Sequence, residues 1–425
     1  MDGNSDGGKG PTTWLGMLGD PVTLSNVLTV AWPQVFYNIA MASVLPLAPF
    51  YGKELGLSDF ETSILVASNQ PGFTIGYATL AILSDWGWST RTINIAGSAL
   101  CAFPPLLVVI WPAFWALVVF QVFQGIGISW LMCSTQGALV RVTNPAGLGR
   151  ALGIMSILVV GAMVFGLLMP VFYAAGGIPL VFAVVGAVGL VMLVYMACCA
   201  PARMFKHDGV AAALGAPWYE RLRAVLSVPA TVALLVIGSG LTMLVLGGYT
   251  IFPQVLASRY LMPPEVVAQI FATVQIARTV MAGPGGSLAD ALPGTSLLFA
   301  LGMLKVLVLI ATAYLVSISV AAAATTVFLL GVYVAIGDSI PNGGLLGPAL
   351  HKLFAAVNAA VGKGSIEEAY SMLGIFLSSG AFVGPLIGGF AYQIAGFDFA
   401  TGVLALAALS VMVPGHIMLW VHWGT

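Results

Sequence analysis

Long apolar runs that follow one another along the chain constrain its fold more than any other feature. Such runs match the ~20 residues that a helix needs to cross the hydrocarbon core of a bilayer. They lack the alternation of polar and apolar residues that marks the strands of a membrane β-barrel. Only 7% of the 425 residues are charged, against roughly 25% in soluble proteins. The sequence therefore predicts an all-α polytopic membrane protein. A net charge of −1 also leaves no basic face for nucleic acid.

Twelve membrane-spanning helices are predicted when the apolar runs are divided at charged residues and at Pro/Gly clusters. The predicted spans are 25–50, 62–83, 92–112, 115–140, 149–173, 179–200, 228–257, 264–286, 295–316, 321–346, 368–392 and 397–421. The predicted domains are a short N-terminal segment (1–24), an N-terminal six-helix half (25–200), a linker (201–227) and a C-terminal six-helix half (228–425).

The loop charges predict the orientation of the chain. With both termini in the cytoplasm, ten of the 14 Lys and Arg residues lie on the cytoplasmic side and two lie outside. The remaining two, Arg278 and Lys305, fall inside predicted helices. By the positive-inside rule, we expect both termini to be cytoplasmic, in a bacterial inner membrane.

Short motifs recur at corresponding places in the two halves. The second helix ends in Leu83–Gly87, with Arg91 beyond it, and the eighth ends in Gly286–Asp290. Helix eleven carries Gly380-Ala381-Phe382-Val383-Gly384-Pro385-Leu386-Ile387-Gly388-Gly389. The Gly286–Asp290 stretch resembles the cytoplasmic-loop signature of the major facilitator superfamily of secondary transporters. The helix-eleven stretch resembles that superfamily's Gly-x-x-x-Gly-Pro-x-x-Gly-Gly motif, and the resemblance covers essentially the whole chain.

This resemblance implies two pseudo-symmetric six-helix halves that alternate access to a substrate site between them. It implies charge contacts that hold a gate closed, which we assign to Asp85, Arg91 and Asp290. The glycines allow close helix packing, and a proline can kink its helix, so Gly384 and Pro385 are predicted to act in gating. Static packing alone is the alternative.

Three charged residues fall within the cores of the predicted helices of the second half: Arg278, Lys305 and Asp338. Charges in the hydrocarbon are costly and usually serve function. The Arg278 guanidinium suits a carboxylate or phosphate, so it is predicted to bind substrate. Asp338 can neutralise a base and exchange a proton, and the long stem of Lys305 can reach it, so both are predicted to act in coupling. The alternative is a buried ion pair that only fixes helix packing.

Neutral polar residues supply further candidate substrate contacts. Gln34 and Asn38 are four residues apart and so share one face of helix one, and Gln275 shares a face with Arg278. The predicted neutral contacts are Gln275, Gln34, Asn38, Tyr249, Gln254 and Gln121, and the first half also offers Asn69, Gln70, Gln124 and Gln136. The alternative is hydrogen bonding between neighbouring helices.

These features predict a secondary transporter for a small organic anion, such as a carboxylate, driven by protons. Two alternatives stay open: a proton-coupled exporter of drugs or metabolites, and a non-transporting membrane assembly protein. The expected partners are a small solute, protons and the lipid bilayer, with no nucleic acid, and the expected state is a monomer. No catalytic residue, cofactor or metal site is predicted. The four cysteines lack metal-ligand spacing, and there is no nucleophile–base pair.

Overall fold

A computed structural model describes most of the chain. The described residues are 21–142, 162, 165–166, 168–200, 219–220, 223, 226–273, 299–300, 302–311 and 366–423. Within these ranges, the side chains of residues 21–27, 30, 34, 81, 84–85, 136–142 and 366–370 are outside the description. Over the described ranges the secondary structure is helical, and no strand occurs there.

Eight helices with defined bounds precede the predicted linker within the described ranges. They are α1 (Pro21–Val44), α2 (Ala48–Leu55), α3 (Asp59–Ala67), α4 (Asn69–Asp85), α5 (Thr90–Ala102), α6 (Pro104–Ile110), α7 (Phe114–Val142) and α8 (Met169–Val194), which continues into a π-helical turn (Tyr195–Cys199). We call these the N-terminal helices.

Four helices follow the linker within the described ranges. They are α9 (Pro229–Ser258), α10 (264–273), α11 (Gly302–Ala311) and α12 (Ile366–Trp423). We call these the C-terminal helices. The parts of α12 before and after Gly396 are its first and second arms.

Prolines divide two of the predicted spans. Pro46 lies between α1 and α2, and the two helices meet at an angle of 48°. Pro104 follows the end of α5 and opens α6. Because proline has no amide hydrogen and clashes with the preceding turn, each helix stops there and a second one begins. The predicted spans 25–50 and 92–112 are therefore both made of two helical segments.

Glycines make the tight turns inside α8 and α12. Gly177 has φ 63° and Gly396 has φ 79°. This left-handed region is accessible to glycine without the steric cost that other residues incur. The turns lie where the predicted spans 149–173 and 368–392 give way to the next helix.

The helices bury three apolar clusters. The first lies among the N-terminal helices around Phe36, Phe120 and Phe182, where α4 and α5 pack on α7 and α8 packs on α1, α5 and α6. The second lies among the C-terminal helices, where α9 packs along α12. The third joins the two sets of helices and contains residues from both, including Met41 and Phe252.

Five helical stretches of the described chain are long and apolar enough to cross a membrane. They are Thr90–Ile110, Phe114–Thr135, Met169–Cys199, Pro229–Ser258 and Ser371–His422, and the bent pair α1–α2 makes a sixth candidate. An all-α polytopic membrane protein is thereby confirmed. The count of twelve helices stays a prediction, because the span 321–346 lies outside the described residues.

Candidate functional site

The N-terminal and C-terminal helices meet at the end of the bundle formed by α2 and α3, which we call the α2–α3 end. Here the amide nitrogen of Gln254 on α9 donates to Ser63 Oγ at 3.1 Å and to the carbonyl oxygen of Asp59 at 3.3 Å, both on α3. The Ser258 and Tyr392 hydroxyls lie 2.8 Å apart across α9 and α12. Gln254, a predicted substrate contact, is thus part of a polar link between the two sets of helices in this conformation.

Apolar side chains close the rest of the α2–α3 end. Val66 from α3 packs with Tyr249 and Val255 from α9 and with Ala391 from α12 in one buried cluster. The ring of Tyr249, another predicted substrate contact, lies edge-on to Phe271 at 5.7 Å between ring centroids. Since most of this contact is apolar and only a few hydrogen bonds cross it, it can separate without leaving many polar groups unpaired.

Two carboxylates at the start of α3 have opposite environments. Partial desolvation raises the pKa of the Asp59 carboxyl above its ordinary value, although the residue stays exposed on α3. Glu61 accepts hydrogen bonds of 2.8 Å from both the backbone nitrogen and the hydroxyl of Ser58, and these lower the pKa of Glu61. Ser58 Oγ accepts in turn from the Glu61 backbone nitrogen at 3.2 Å, which completes a capping box.

The predicted gating glycine lies at a close helix crossing. Gly384 on the first arm of α12 faces Met243 on α9, where an added Cβ would overlap the Met243 carbonyl oxygen. Gly380 approaches the Ser239 carbonyl in the same way. Pro385 follows within the helix. These two glycines therefore pack α12 against α9, its neighbour among the C-terminal helices.

Arg91 contacts its own set of helices. Its guanidinium donates to the carbonyl oxygen of Ala197 at 2.8 Å, in the π-helical turn after α8. A cation at a helix C-terminus satisfies carbonyl groups that lack intrahelical partners. Asp85 ends α4, and its side chain is outside the description. The predicted gate contact between these residues stays a prediction.

Four amide side chains are buried where α4 crosses α7: Asn69, Gln70, Gln121 and Gln124. Asn69 donates to Met41 Sδ at 3.0 Å and accepts from Gln70 Nε2 at 2.8 Å. Gln121 Nε2 makes a long hydrogen bond of 3.5 Å to the Leu65 carbonyl. Gln121, a predicted substrate contact, thus lies at the same helix crossing as three other buried amide side chains.

The remaining described candidates lie on α1 and α11. Asn38 is half-buried on α1. Lys305 lies on α11, is 7% exposed, and has an interaction partner. A buried lysine within an apolar helix is costly, so its position agrees with a functional charge but assigns no role by itself.

Several predicted residues cannot be placed. Arg278, Gln275, Asp338 and Asp290 lie outside the described residues, as does the side chain of Gln34. Among the described side chains, no group of three His, Cys, Asp or Glu residues could hold a metal ion.

Three residues of these contacts were not singled out from the sequence. Asp59 and Ser63 bond to Gln254 from far along the chain, and no sequence signal pairs them. In the sequence, Gln124 stood out only as one of several amide residues in the predicted span 115–140, which is α7 in the structure. Both polar atoms of its side chain are buried without a hydrogen-bond partner among the described residues, which is a property of the packed structure.

A family model described as the Major Facilitator Superfamily matches residues 33–347. A search of curated proteins gave no significant match. Among solved structures, the chain is similar to a bacterial homolog of the human lysosomal transporter Spinster, in an inward-facing and unoccupied conformation. That similarity has 16% identity over 95% of this chain and 96% of the other, with a TM-score of 0.62.

Two further solved structures share the fold. A D-xylose–proton symporter is 14% identical, with 92% of this chain and 97% of the other covered and a TM-score of 0.64. The nucleoside transporter NupG is 12% identical, with 94% and 99% covered and a TM-score of 0.65. At these identities the similarity concerns the fold alone.

Proposed function

The chain belongs to the major facilitator superfamily, and from this premise we propose that it moves a small organic anion, such as a carboxylate, by proton-coupled alternating access. Membership makes it an integral membrane transporter and not an enzyme. Its partners are therefore a small-molecule substrate and the lipid bilayer. The solute class, the coupling ion and the sidedness are argued from the charges and contacts of this chain.

The α2–α3 end supports alternating access. The link from Gln254 to Ser63, with the apolar cluster around Val66 and Val255, closes one end of the bundle between the two sets of helices. The loop charges put this end outside the cell and both termini in the cytoplasm, in a bacterial inner membrane. We take the protein to act as a monomer, with its N-terminal half (25–200) rocking against its C-terminal half (228–425).

The observation that carries the anion proposal is the burial of Lys305 in an apolar helix of the C-terminal half. Arg278, in the same half of the sequence, adds a second positive charge, and Asp338 adds one negative charge. Two basic residues and one acidic residue leave a net positive charge, which favours a negatively charged substrate. Asp338 is proposed to carry the coupling proton, because a carboxylate that neutralises a base can exchange a proton as the substrate binds and leaves.

Ligand-induced thermal stabilisation of the purified protein tests the solute class. A ligand that binds only the folded state raises the melting temperature by mass action. We expect carboxylates to stabilise the wild type, and Arg278→Ala to lose both this stabilisation and uptake into proteoliposomes. Lys53→Ala is the matched control, because it removes a positive charge from an exposed site on α2.

The outcomes separate the candidate functions. Carboxylate binding that survives Arg278→Ala contradicts the proposed anion site. Stabilisation by lipophilic cations alone favours the exporter. Stabilisation by no solute, with no uptake in proteoliposomes, favours a non-transporting assembly protein.

A further inference from the structure

The amides at the crossing of α4 and α7 leave hydrogen-bonding groups unused. Gln121 and Gln124 are each 1% exposed. Gln121 Oε1, Gln124 Nε2 and Gln124 Oε1 have no hydrogen-bond partner among the described residues. Because both polar atoms of Gln124 are unpaired, exchanging its nitrogen and oxygen would not change this result. Buried polar groups in folded proteins are nearly always paired, so unpaired amides in a membrane bundle need an explanation.

The backbone contact of the two helices fixes these amides in place. A Cβ added at Gly125 would overlap the Asn69 carbonyl oxygen, and one at Gly72 would overlap the Val122 carbonyl. The backbones of the two helices are therefore in direct contact, which fixes the positions of the neighbouring side chains along the helix axes. Gln121 and Gln124 are three residues apart on α7, so their amides lie on one side of the helix.

Helical rise predicts that the amides lie near the middle of the membrane. Asn69 follows Asp59, the start of α3, by ten residues, and Gln124 follows Phe114, the start of α7, by ten residues. At 1.5 Å per residue, each amide is ~15 Å inside the bundle, which is half of the ~30 Å hydrocarbon core. In secondary transporters, substrate sites lie near the midplane.

The unpaired amide atoms indicate which chemical class of substrate group could bind them. The Gln124 nitrogen is a donor, and the two glutamine oxygens are acceptors. A carboxylate only accepts and would leave both oxygens unpaired, whereas an ammonium only donates and would leave the nitrogen unpaired. A hydroxyl group accepts from the nitrogen and donates to an oxygen.

We propose that Gln121 and Gln124 bind a hydroxyl group of the transported solute, so that the solute is a hydroxylated organic acid. The carboxylate part of this statement rests on the proposed function, and the hydroxyl part rests on the amide pair alone. The pair is buried in the present conformation, so the hydroxyl reaches it in another state of the transport cycle.

Binding of matched acids to the purified full-length protein tests the proposal. The pairs are lactate with propionate and malate with succinate, each differing by one hydroxyl. Sites that bond a substrate hydroxyl discriminate strongly against analogues that lack it, so we expect the wild type to prefer the hydroxy acid by about tenfold or more. Gln124→Leu should reduce the preference to about twofold or less while still binding the plain acid.

Ser98→Ala is the matched control. It also removes a buried polar group, but among the described residues the Ser98 hydroxyl bonds only the Asn94 carbonyl of its own helix at 2.8 Å. This variant should keep the wild-type preference. Gln121→Leu provides a second test if Gln124→Leu does not fold.

Three results would overturn the proposal: no hydroxyl preference in the wild type, a preference that survives both glutamine substitutions, or binding of neither acids nor neutral polyols. If the glutamine pair binds only water, the two glutamine substitutions would leave any hydroxyl preference unchanged, which is the second of these results. Ribitol and glucose distinguish failure of the two proposals. If these polyols bind in a Gln124-dependent way and no acid binds, the hydroxyl site stands and the anion function fails.

Discussion

Gln254 links the two sets of helices through a single side chain, so its removal should shift the conformational equilibrium. Gln254→Leu deletes the hydrogen bonds to Ser63 Oγ and to the Asp59 carbonyl. At about 1 kcal/mol for each hydrogen bond, the loss of these two bonds should favour the open α2–α3 end by about five- to thirtyfold. The measurement is the labelling rate of Val255→Cys, buried in that end, by an impermeant maleimide added outside, with Cys198 and Cys199 replaced by serine.

Thr250→Val is the control for this experiment. It removes a hydroxyl one turn away on α9 that, within the described part of the chain, bonds only the Leu246 carbonyl of the same helix at 2.7 Å. It should leave the labelling rate unchanged. An equal rate in Gln254→Leu and the wild type would mean that the hydrogen bonds do not hold this end closed.

At the residue scale, the sequence identified side chains but not their partners. Gln254 was a candidate because it is polar within an apolar span, and that reasoning holds whether it contacts a solute or another helix. Its partner Ser63 is separated from it by 191 residues. Which residues of two distant helices meet depends on their relative rotation and height, and no local pattern encodes that.

At the scale of a helix, close glycine contacts should dominate the effect of substitutions. Gly384→Ala places a Cβ against the Met243 backbone carbonyl, which cannot move as a side chain would. Overpacking of this kind costs about 1–3 kcal/mol, so we expect a clearly lower melting temperature in detergent. Gly402→Ala, on the second arm of α12, meets nothing within 4 Å and should be neutral or slightly stabilising. Equal melting temperatures for the two variants would contradict the close packing of α12 on α9.

The helical segments were largely predictable from sequence because their signals are local. Apolar length, Pro46, Pro104 and the turn glycines Gly177 and Gly396 each act on their own backbone. Two consequences were not predicted: the division of the first and third spans into separate helices, and the face that each helix buries. The first depends on how far a proline bends its helix, and the second on which neighbour packs against it.

For the whole molecule, the closed α2–α3 end contains a titratable group that couples its closure to pH. Partial desolvation raises the pKa of Asp59 relative to a fully solvated carboxyl. Asp59 interacts with Tyr392 of α12, and Arg259 of α9 interacts with the same tyrosine. The closed end thus binds a proton more tightly than the open end. Closure is fully favoured below the ordinary Asp pKa of about 3.9 and weakens as pH rises through the raised pKa of Asp59.

We therefore expect outside labelling of Val255→Cys to rise as the pH increases above the ordinary Asp pKa of about 3.9, and Asp59→Asn to abolish the rise and keep the end closed. Dividing each rate by that of the exposed reference thiol in Lys53→Cys removes the pH dependence of the thiol itself. Glu61→Gln is the matched control. Hydrogen bonds from Ser58 lower the pKa of Glu61, so any stabilisation that Glu61 provides is lost as the pH falls and not as it rises. It should preserve the rise. A pH-independent labelling ratio in the wild type, or a rise that persists in Asp59→Asn, would remove Asp59 from control of the gate and leave closure to the apolar cluster and Gln254.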